Sequence, residues 1–391
     1  MRKTLVINAG SSSLKYKLFG MPDYIEIAEG IIERIGLEMG IVSIKVDGNK
    51  IEKEMPIENH EVGIKAMLDL LEENNVIENY EEITKVGHRV VQGGEVFQES
   101  VLVGEDELAK IIDLAKLAPL HNIPNSVGIE VFSKLIPNAQ NIAVFDTTFH
   151  TTMEEDAYLY PVPYEWYEKF GVRRYGAHGT SHKFIAERVE ELEGKGQKLI
   201  NLHLGNGASI TAINDGKCVT TSMGLTPLGG IMMGTRSGDL DPSILNYVSE
   251  QTGMDVAAIN NALNKESGML GLSGGISSDF RDIKAAYDAG NEAAIRTLEI
   301  YANRIAETVA SYIMHLGGLD TMVFTAGVGE NAALVREKVC QRLAPFGIDL
   351  DLEANDCFSQ EKVISTDTSN VKVYIIPTEE ELMIAKEAEL F

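Results

Sequence analysis

The chain has 391 residues, more than one hydrophobic core usually spans, so two domains with a ligand cleft between them are expected. Hydrophobic residues make up 44% and charged residues 24%, a balance that excludes a disordered chain. The 59 acidic against 34 basic residues leave a net charge of -25, which disfavours nucleic acid and anionic membranes as partners and requires local arginines for any phosphate substrate. Cys218, Cys340 and Cys357 lie far apart without metal-ligand spacing, as suits reduced thiols. The opening MRKTLVINAG lacks the apolar run of a signal peptide and no segment reaches the length of a membrane span, so a cytoplasmic protein is expected.

Residues 4–8 read as a short buried strand. After the bend AGSSS, Leu14, Tyr16 and Leu18 alternate with Lys15 and Lys17, the period-2 pattern of a second strand. The bend therefore joins strand to strand. Its glycine frees the backbone, and its hydroxyls beside amide N–H groups form a donor-rich lip that suits a phosphate, although tight hairpins use the same residues with no ligand. Strand-like segments at 86–91, 141–145, 199–204, 322–325 and 371–376 alternate with helical ones, which makes the class α/β. The segment LINLHLGNGASITAINDGK, 199–217, repeats the opening plan of strand, Asn/Gly/Ser bend and strand, and predicts a duplicated domain with two such hairpins facing each other. A long helix is predicted from about Asn291, its cap, to Leu316, ended by Gly317 and Gly318. Ile295, Leu298, Ala302, Ile305, Val309, Ile313 and Leu316 form its core stripe.

Several segments carry candidate chemistry. Gly327, Gly329 and Ala332 of FTAGVGENAALVREKV match G-x-G-x-x-A, and Asp349 is loosely placed for the acidic residue of a dinucleotide site. The motif comes late in the chain and nothing upstream resembles a hydride-transfer site, so the loop reads as a seat for the adenosine of a nucleotide. The only Gly-Lys pairs, Gly194-Lys195 and Gly216-Lys217, lack a following Ser or Thr, which excludes a Walker A loop. Arg89 in VGHRVVQGGE and Arg236 in GGIMMGTRSGDLDP stand beside glycine turns. Two permanently charged guanidinium groups suit a transferring phosphoryl group. His121, His178, His182 and His203 occur in three segments. The HGTSH spacing lacks a third ligand for zinc, so histidine reads as a hydrogen-bond donor, with Thr180 or Ser181 capping a helix through Arg188. Asp146 at a strand's end and Glu380 at a helix's start are placed to hold Mg²⁺ through water.

The motifs INAGSSSLKY, GHRVVQGGE, APLHN, VFDTTFH, YGAHGTSHK, HLGNG, MMGTRSGDLDP, SSDFRD, FTAGVGEN and EEELMIA, in that order over the whole chain, resemble the acetate kinase family of the acetate and sugar kinase, Hsp70 and actin superfamily. The resemblance implies two duplicated actin-like (ribonuclease H-like) α/β domains with an interdomain cleft. The first would be residues 1–147, with the 378–391 helix packed on it, and the second 148–377. It also implies a homodimer acting on ATP/ADP and a small carboxylate, with Mg²⁺ or Mn²⁺. Asn8 and the serines at 11 to 13, with Lys15, would form the first phosphate and metal loop, with Ser13 and Lys15 toward the nucleotide and Asn8 and Glu380 toward the metal. His203, Leu204, Gly205, Asn206 and Gly207 would form the second. Asp279, Phe280, Arg281, Gly327, Val328, Gly329 and Asn331 would hold adenosine and ribose. Val91, Leu120 and Pro227 would line the acyl pocket beside Arg89. Asp146, Arg89, Arg236 and His178 would serve in-line phosphoryl transfer, with Asp146 and Glu380 positioning the metal.

The sequence departs from the family pattern at Gln92, often His; Ile123, often Pro; Ala177, often Phe; and Glu379, often Asn. Ala177 leaves room for propionate in place of acetate. Other readings are an NAD-dependent dehydrogenase, from the late glycine loop, and an ATP-driven binding protein of the actin type.

Overall fold

A computed structural model describes residues 2–391. The chain divides into two compact units, one comprising residues up to Phe149 together with Glu379–Phe391, the other His150–Thr378.

The first unit is built on one eight-stranded sheet. Its strands are β1 (Lys3–Ala9), β2 (Ser13–Gly20), β3 (Ile25–Glu33), β4 (Gly40–Val46), β5 (Asn49–Met55), β6 (Ile83–Val90), β7 (Val101–Leu102) and β8 (Gln140–Phe145), in the order β5-β4-β3-β2-β1-β6-β8-β7. The first five form an antiparallel meander; β6 runs parallel to β1, and β8 parallel to β6. Because side chains alternate across a strand, β1 feeds two cores at once. Leu5 and Ile7 join Leu14, Tyr16 and Leu18 in a cluster that includes residues of helices His60–Glu73 and Pro119–Leu135. Val6 faces the other way, in a cluster with Ile142, Val144, Ile384 and Ala388. The helix Glu380–Ala388 thus returns from the chain's end to cover the second face of this sheet. Gly87 permits that approach, since a Cβ there would lie 2.7 Å from Cγ2 of Ile384.

The second unit has six strands, β9 (Lys198–Leu204), β10 (Ala208–Asn214), β11 (Lys217–Thr221), β12 (Thr321–Thr325), β13 (Lys362–Val363) and β14 (Lys372–Ile375), ordered β11-β10-β9-β12-β14-β13. Its central run, β11-β10-β9-β12-β14, repeats β3-β2-β1-β6-β8: three antiparallel strands continued by two parallel ones. The bends also match, with Ala9 opposite Leu14 in one unit and Leu204 opposite Ala208 in the other. The repeat seen in the sequence is therefore a duplicated actin-like fold.

The long helix of this unit spans Glu292–Leu316. Asn291 accepts hydrogen bonds from the amides of Ala293 and Ala294, at 2.9 and 3.1 Å, and Gly317 ends the helix in the left-handed conformation. Leu298, Ala302, Ile305, Val309 and Leu316 are buried, joined by Tyr301 and Tyr312, whereas Ile295, 37% exposed, stays at the surface. All three cysteines are buried and free. No helix among the described residues is long and apolar enough to cross a membrane.

Candidate active site

In the first unit the opening bend closes through a 2.7 Å bond from the Gly10 amide to the Ser13 carbonyl, which sets Asn8 beside Lys15 across the hairpin. Ser11 and Ser12 are exposed and Ser13 half-buried. Asn8 and Lys15 line a cavity of about 360 Å³ together with Arg89, Glu380 and Glu381. The fold gathers these groups because β1 and β6 are parallel neighbours and the Glu380–Ala388 helix begins over them.

Arg89 lies near the end of β6, and Asp146 directly follows β8, its amide bound to the Val90 carbonyl. Nε and Nη2 of Arg89 grip the Asp146 carboxylate as a fork, with contacts of 2.7 to 3.2 Å. Asp146 is buried and is the anchor of Arg89. Its charge holds the Arg89 pKa above the usual value, so the guanidinium stays charged. Nη1 of Arg89 makes no hydrogen bond among the described residues.

Burial raises the Glu380 pKa to about 7; Arg89 pulls it back, while Asp146 and Glu381 push it further up. The unfolded chain releases that proton near the ordinary carboxylate pKa, so between about pH 4.5 and 7 the folded state binds more protons and stability falls as pH rises. Glu380→Gln, which cannot ionise, is expected to gain thermal stability relative to the parent as pH is raised through that window without added metal. Parallel melting curves at pH 5 and pH 8 check this; a constant difference between the two proteins contradicts it.

The loop after β6 is stapled by two asparagines that sequence reading missed. The Val91 amide donates to Asn125 Oδ1 at 3.2 Å, and Asn125 Nδ2 donates to the Ala9 carbonyl at 2.8 Å. Asn122 accepts from the Gln92 amide at 3.0 Å and donates to its carbonyl at 2.9 Å. Thr147 accepts from the Gly93 amide. The signal was present in APLHNIPN, where two asparagines three residues apart lie on one helical face, but their partners are distant in sequence. Asn125→Ala leaves a half-buried amide and a buried carbonyl unpaired and is expected to destabilise the protein by about 2 kcal/mol, read from urea unfolding. Of the expected acyl wall, Val91 sits on this loop and Leu120, 75% exposed, on the first turn of Pro119–Leu135. Pro227 belongs to the second unit.

In the second unit β9 and β10 are joined by the bend Gly205–Gly207, closed by a 3.0 Å bond from the Gly205 amide to the Gly207 carbonyl. Leu204 is fully buried in the core, so only its backbone belongs to the bend. Asn206 packs so closely on Gly234 that a Cβ there would lie 1.9 Å from Asn206 Oδ1. Gly207 is where charge converges. A Cβ on it would lie 3.5 Å from Nη2 of Arg236 and 3.6 Å from Nε2 of His178. Arg236 donates to the Pro227 carbonyl at 2.9 Å but pairs with no carboxylate among the described residues, and burial lowers its pKa from the usual value.

His178 occupies the left-handed region, φ 57°, immediately before the helix Gly179–Glu193. A non-glycine residue pays about 1 kcal/mol or more for that backbone, which turns the ring toward the bend. The expected cap by Thr180 or Ser181 is corrected: His178 holds the cap position without a side-chain cap bond. Ser181 Oγ instead meets His203 Nδ1 and Thr378 Oγ1, each at 2.8 Å. Thr180 Oγ1 is buried without a partner among the described residues.

A larger cavity, about 1040 Å³, is lined by Asp279, Phe280, Arg281, Gly327, Val328 and Asn331, with Gly205 and Asn206 at its border. Asp279 caps the helix Phe280–Asp288 through the Arg281 amide and is gripped by the Arg281 guanidinium, which holds its carboxyl at about 2. Gly329 lies behind this cavity's lining residues. It is buried against Phe324 and Leu202, and its carbonyl accepts from Arg336, a fully buried residue that also binds the carbonyls of Asn355 and Cys357. The dinucleotide reading fails here too, because the next strand parallel to β12 is β14, and Asp349 lies in the loop well before it.

Each actin-like unit carries a glycine bend between two inner strands of its sheet, with an arginine at hand to receive an anion. Residues 3–386 match the family model described as the Acetokinase family. Acetate kinases of Bacillus cytotoxicus and Carboxydothermus hydrogenoformans are 49% and 50% identical over 99% and 98% of this chain and 98% of their own. The crystal structure of Porphyromonas gingivalis acetate kinase superimposes with a TM-score of 0.96 at 42% identity, covering 100% of this chain and 99% of that one. A propionate kinase from Francisella tularensis superimposes at 0.94 with 41% identity, covering both chains fully. The chain belongs to the acetokinase family, whose members are phosphotransferases with a carboxyl group as acceptor.

Proposed function

We propose that this chain transfers the γ-phosphoryl group of ATP reversibly to acetate, giving acetyl phosphate and ADP. The observation that carries the reading is Arg236, a half-buried guanidinium with no carboxylate partner among the described residues, beside His178 over the glycine bend. An uncompensated half-buried cation is the complement of an anion that arrives with substrate.

In this reading the large cavity of the second unit takes adenosine and ribose against Phe280, Val328 and Asn331, and the Gly205–Gly207 bend takes the phosphates. Arg89, held rigid by Asp146, binds the acetate carboxylate, and Val91 and Leu120 of the same unit face its methyl group. A carboxylate oxygen then attacks the γ-phosphorus in line. The new O–P bond forms as the bond to the bridging oxygen of ADP breaks, and no general base is needed because the nucleophile is already ionised. Arg236 and His178 donate hydrogen bonds to the charge on the moving group.

The residues fit a divalent cation: Glu380 carries a carboxyl whose ionisation burial opposes, beside Asn8 and near Asp146. No cluster of three His, Cys, Asp or Glu occurs among the described residues, as suits a cation brought in by a nucleotide. Mg²⁺ or Mn²⁺ would be held by Asn8 and Glu380, with Asp146 through water, and when bound neutralises phosphate charge. A cytoplasmic homodimer completes the proposal, supported by the three reduced cysteines and the exposed aromatic residues Trp166, Phe170 and Tyr247 of the second unit.

Propionate is the second reading, favoured by the propionate kinase neighbour and by Ala177. Against it, Ala177 is 4% exposed within the apolar cluster of Met223 and Ile231, and its carbonyl accepts from His150 Nε2. A coupled assay of ADP release with each acid tests the pair. Release that depends on added carboxylate and on magnesium, with kcat/KM highest for acetate, is expected. A methylene discriminates by only ~1–3 kcal/mol, so propionate should react at 10- to 100-fold lower kcat/KM. Carboxylate-independent ATP hydrolysis contradicts the proposal.

A further inference from the structure

Beneath His178 lies a chain of buried polar groups from three elements. Asn201 on β9, His182 on the helix Gly179–Glu193 and Ser209 on β10 each have 0% exposure. Asn201 Nδ2 faces His182 Nδ1 at 2.9 Å, His182 Nε2 faces Ser209 Oγ at 2.8 Å, and Ser209 Oγ faces His178 Nδ1 at 2.8 Å. Polar side chains this deep in a sheet-and-helix core are costly unless paired, and here, apart from Asn201 Oδ1, which has no partner among the described residues, they form one continuous string ending at the half-buried His178.

The protons along the string are fixed in turn. Burial, and the neighbouring His150 and His203, hold His182 neutral, so it carries a single ring N–H. The Asn201 amide donates to Nδ1 of His182, which leaves that proton on Nε2. His182 Nε2–H therefore donates to Ser209 Oγ. The Ser209 hydroxyl accepts that bond on one of its two lone pairs, and its single hydrogen, given to His178 Nδ1, completes the string in one direction. His178 is left with its proton on Nε2, the nitrogen that lies over Gly207 beside Arg236.

We propose that Asn201, His182 and Ser209 are positioning residues that fix the tautomer and direction of His178, so that it presents a ready N–H donor to the Gly205–Gly207 bend. This rests on the reading that His178 serves the phosphoryl group. Neither His182 nor Ser209 touches substrate in this scheme. Their part is to remove the alternative tautomer, which would turn a lone pair toward an anion.

The test is a long-range ¹H–¹⁵N spectrum of the full chain labelled at histidine, with His178 assigned by the signals lost in His178→Gln. In the unsubstituted protein both His178 and His182 are expected to show a protonated Nε2 and a bare Nδ1. Ser209→Ala, a small change at a buried site, should move the His178 nitrogens toward the average of two tautomers. It should lower kcat about tenfold, with the KM values for ATP and acetate within twofold. A protonated Nδ1 on either histidine in the parent, or His178 signals that Ser209→Ala leaves unmoved, overturns the relay. If the tautomer shifts while kcat holds, the relay stands and the part given to His178 in phosphoryl transfer fails.

Discussion

Arg236→Ala is expected to lower kcat by about two orders of magnitude or more while leaving thermal stability unchanged or raised. The first half follows from charge. Loss of one preorganised donor to a developing oxyanion costs ~10²–10³ in rate, and Arg236 is such a donor held in a desolvated setting. The second half follows from what Arg236 lacks. Among the described residues its hydrogen bonds go to the Pro227 carbonyl and the Met233 sulfur, and no carboxylate there offsets the burial that lowers its pKa. Removing a half-buried cation of that kind relieves a desolvation penalty. Steady-state kinetics and a melting curve on the same preparation read both halves; near-normal kcat in a folded variant would refute the role.

Arg89→Ala is expected to do harm on both counts. It strands Asp146, whose side chain is only 3% exposed, next to a carboxyl at Glu380 that burial already discourages from ionising. Breaking a buried pair costs ~3–5 kcal/mol, and the 23% exposure of Arg89 places this one at about 3 kcal/mol. Activity should fall through KM for the carboxylate, by tenfold or more, because the guanidinium that receives it is gone. The double variant Arg89→Ala with Asp146→Asn separates the effects, since it removes the stranded charge and should recover most of the stability without recovering KM. Recovery of both would mean that Arg89 acts only as a counter-ion to Asp146.

What was legible in the sequence is what depends on near neighbours. Alternation at Leu14, Tyr16 and Leu18 gave the second strand, and Asn291 with Gly317 bounded the long helix, because period and caps are local. The duplication was legible because both bends kept Asn, Gly and Ser between apolar strands. The rest depended on contacts across long separations. Asn125 reaches Ala9, 116 residues away, and Asp146 grips Arg89 across 57, so neither the loop staples nor the engaged state of Asp146 follows from any motif. At Thr180 and Ser181 a local rule misled: hydroxyls at a helix start usually cap it, but here His178 takes the cap position in a left-handed turn and Ser181 serves His203. Ile295 departed for the same reason, tertiary packing overriding a pattern.

The central claim, phosphoryl transfer from ATP to a small carboxylate, is tested most directly by trapping the product. Purified protein with Mg²⁺, ATP and acetate, propionate or butyrate is assayed in hydroxylamine, which converts an acyl phosphate to a hydroxamate. Hydroxamate formed with ATP and magnesium, at highest kcat/KM for acetate, is the expected result, and it would mean that the space at Ala177 is filled by its neighbours. Absence of hydroxamate with every acid, while ATP is still hydrolysed, would contradict it.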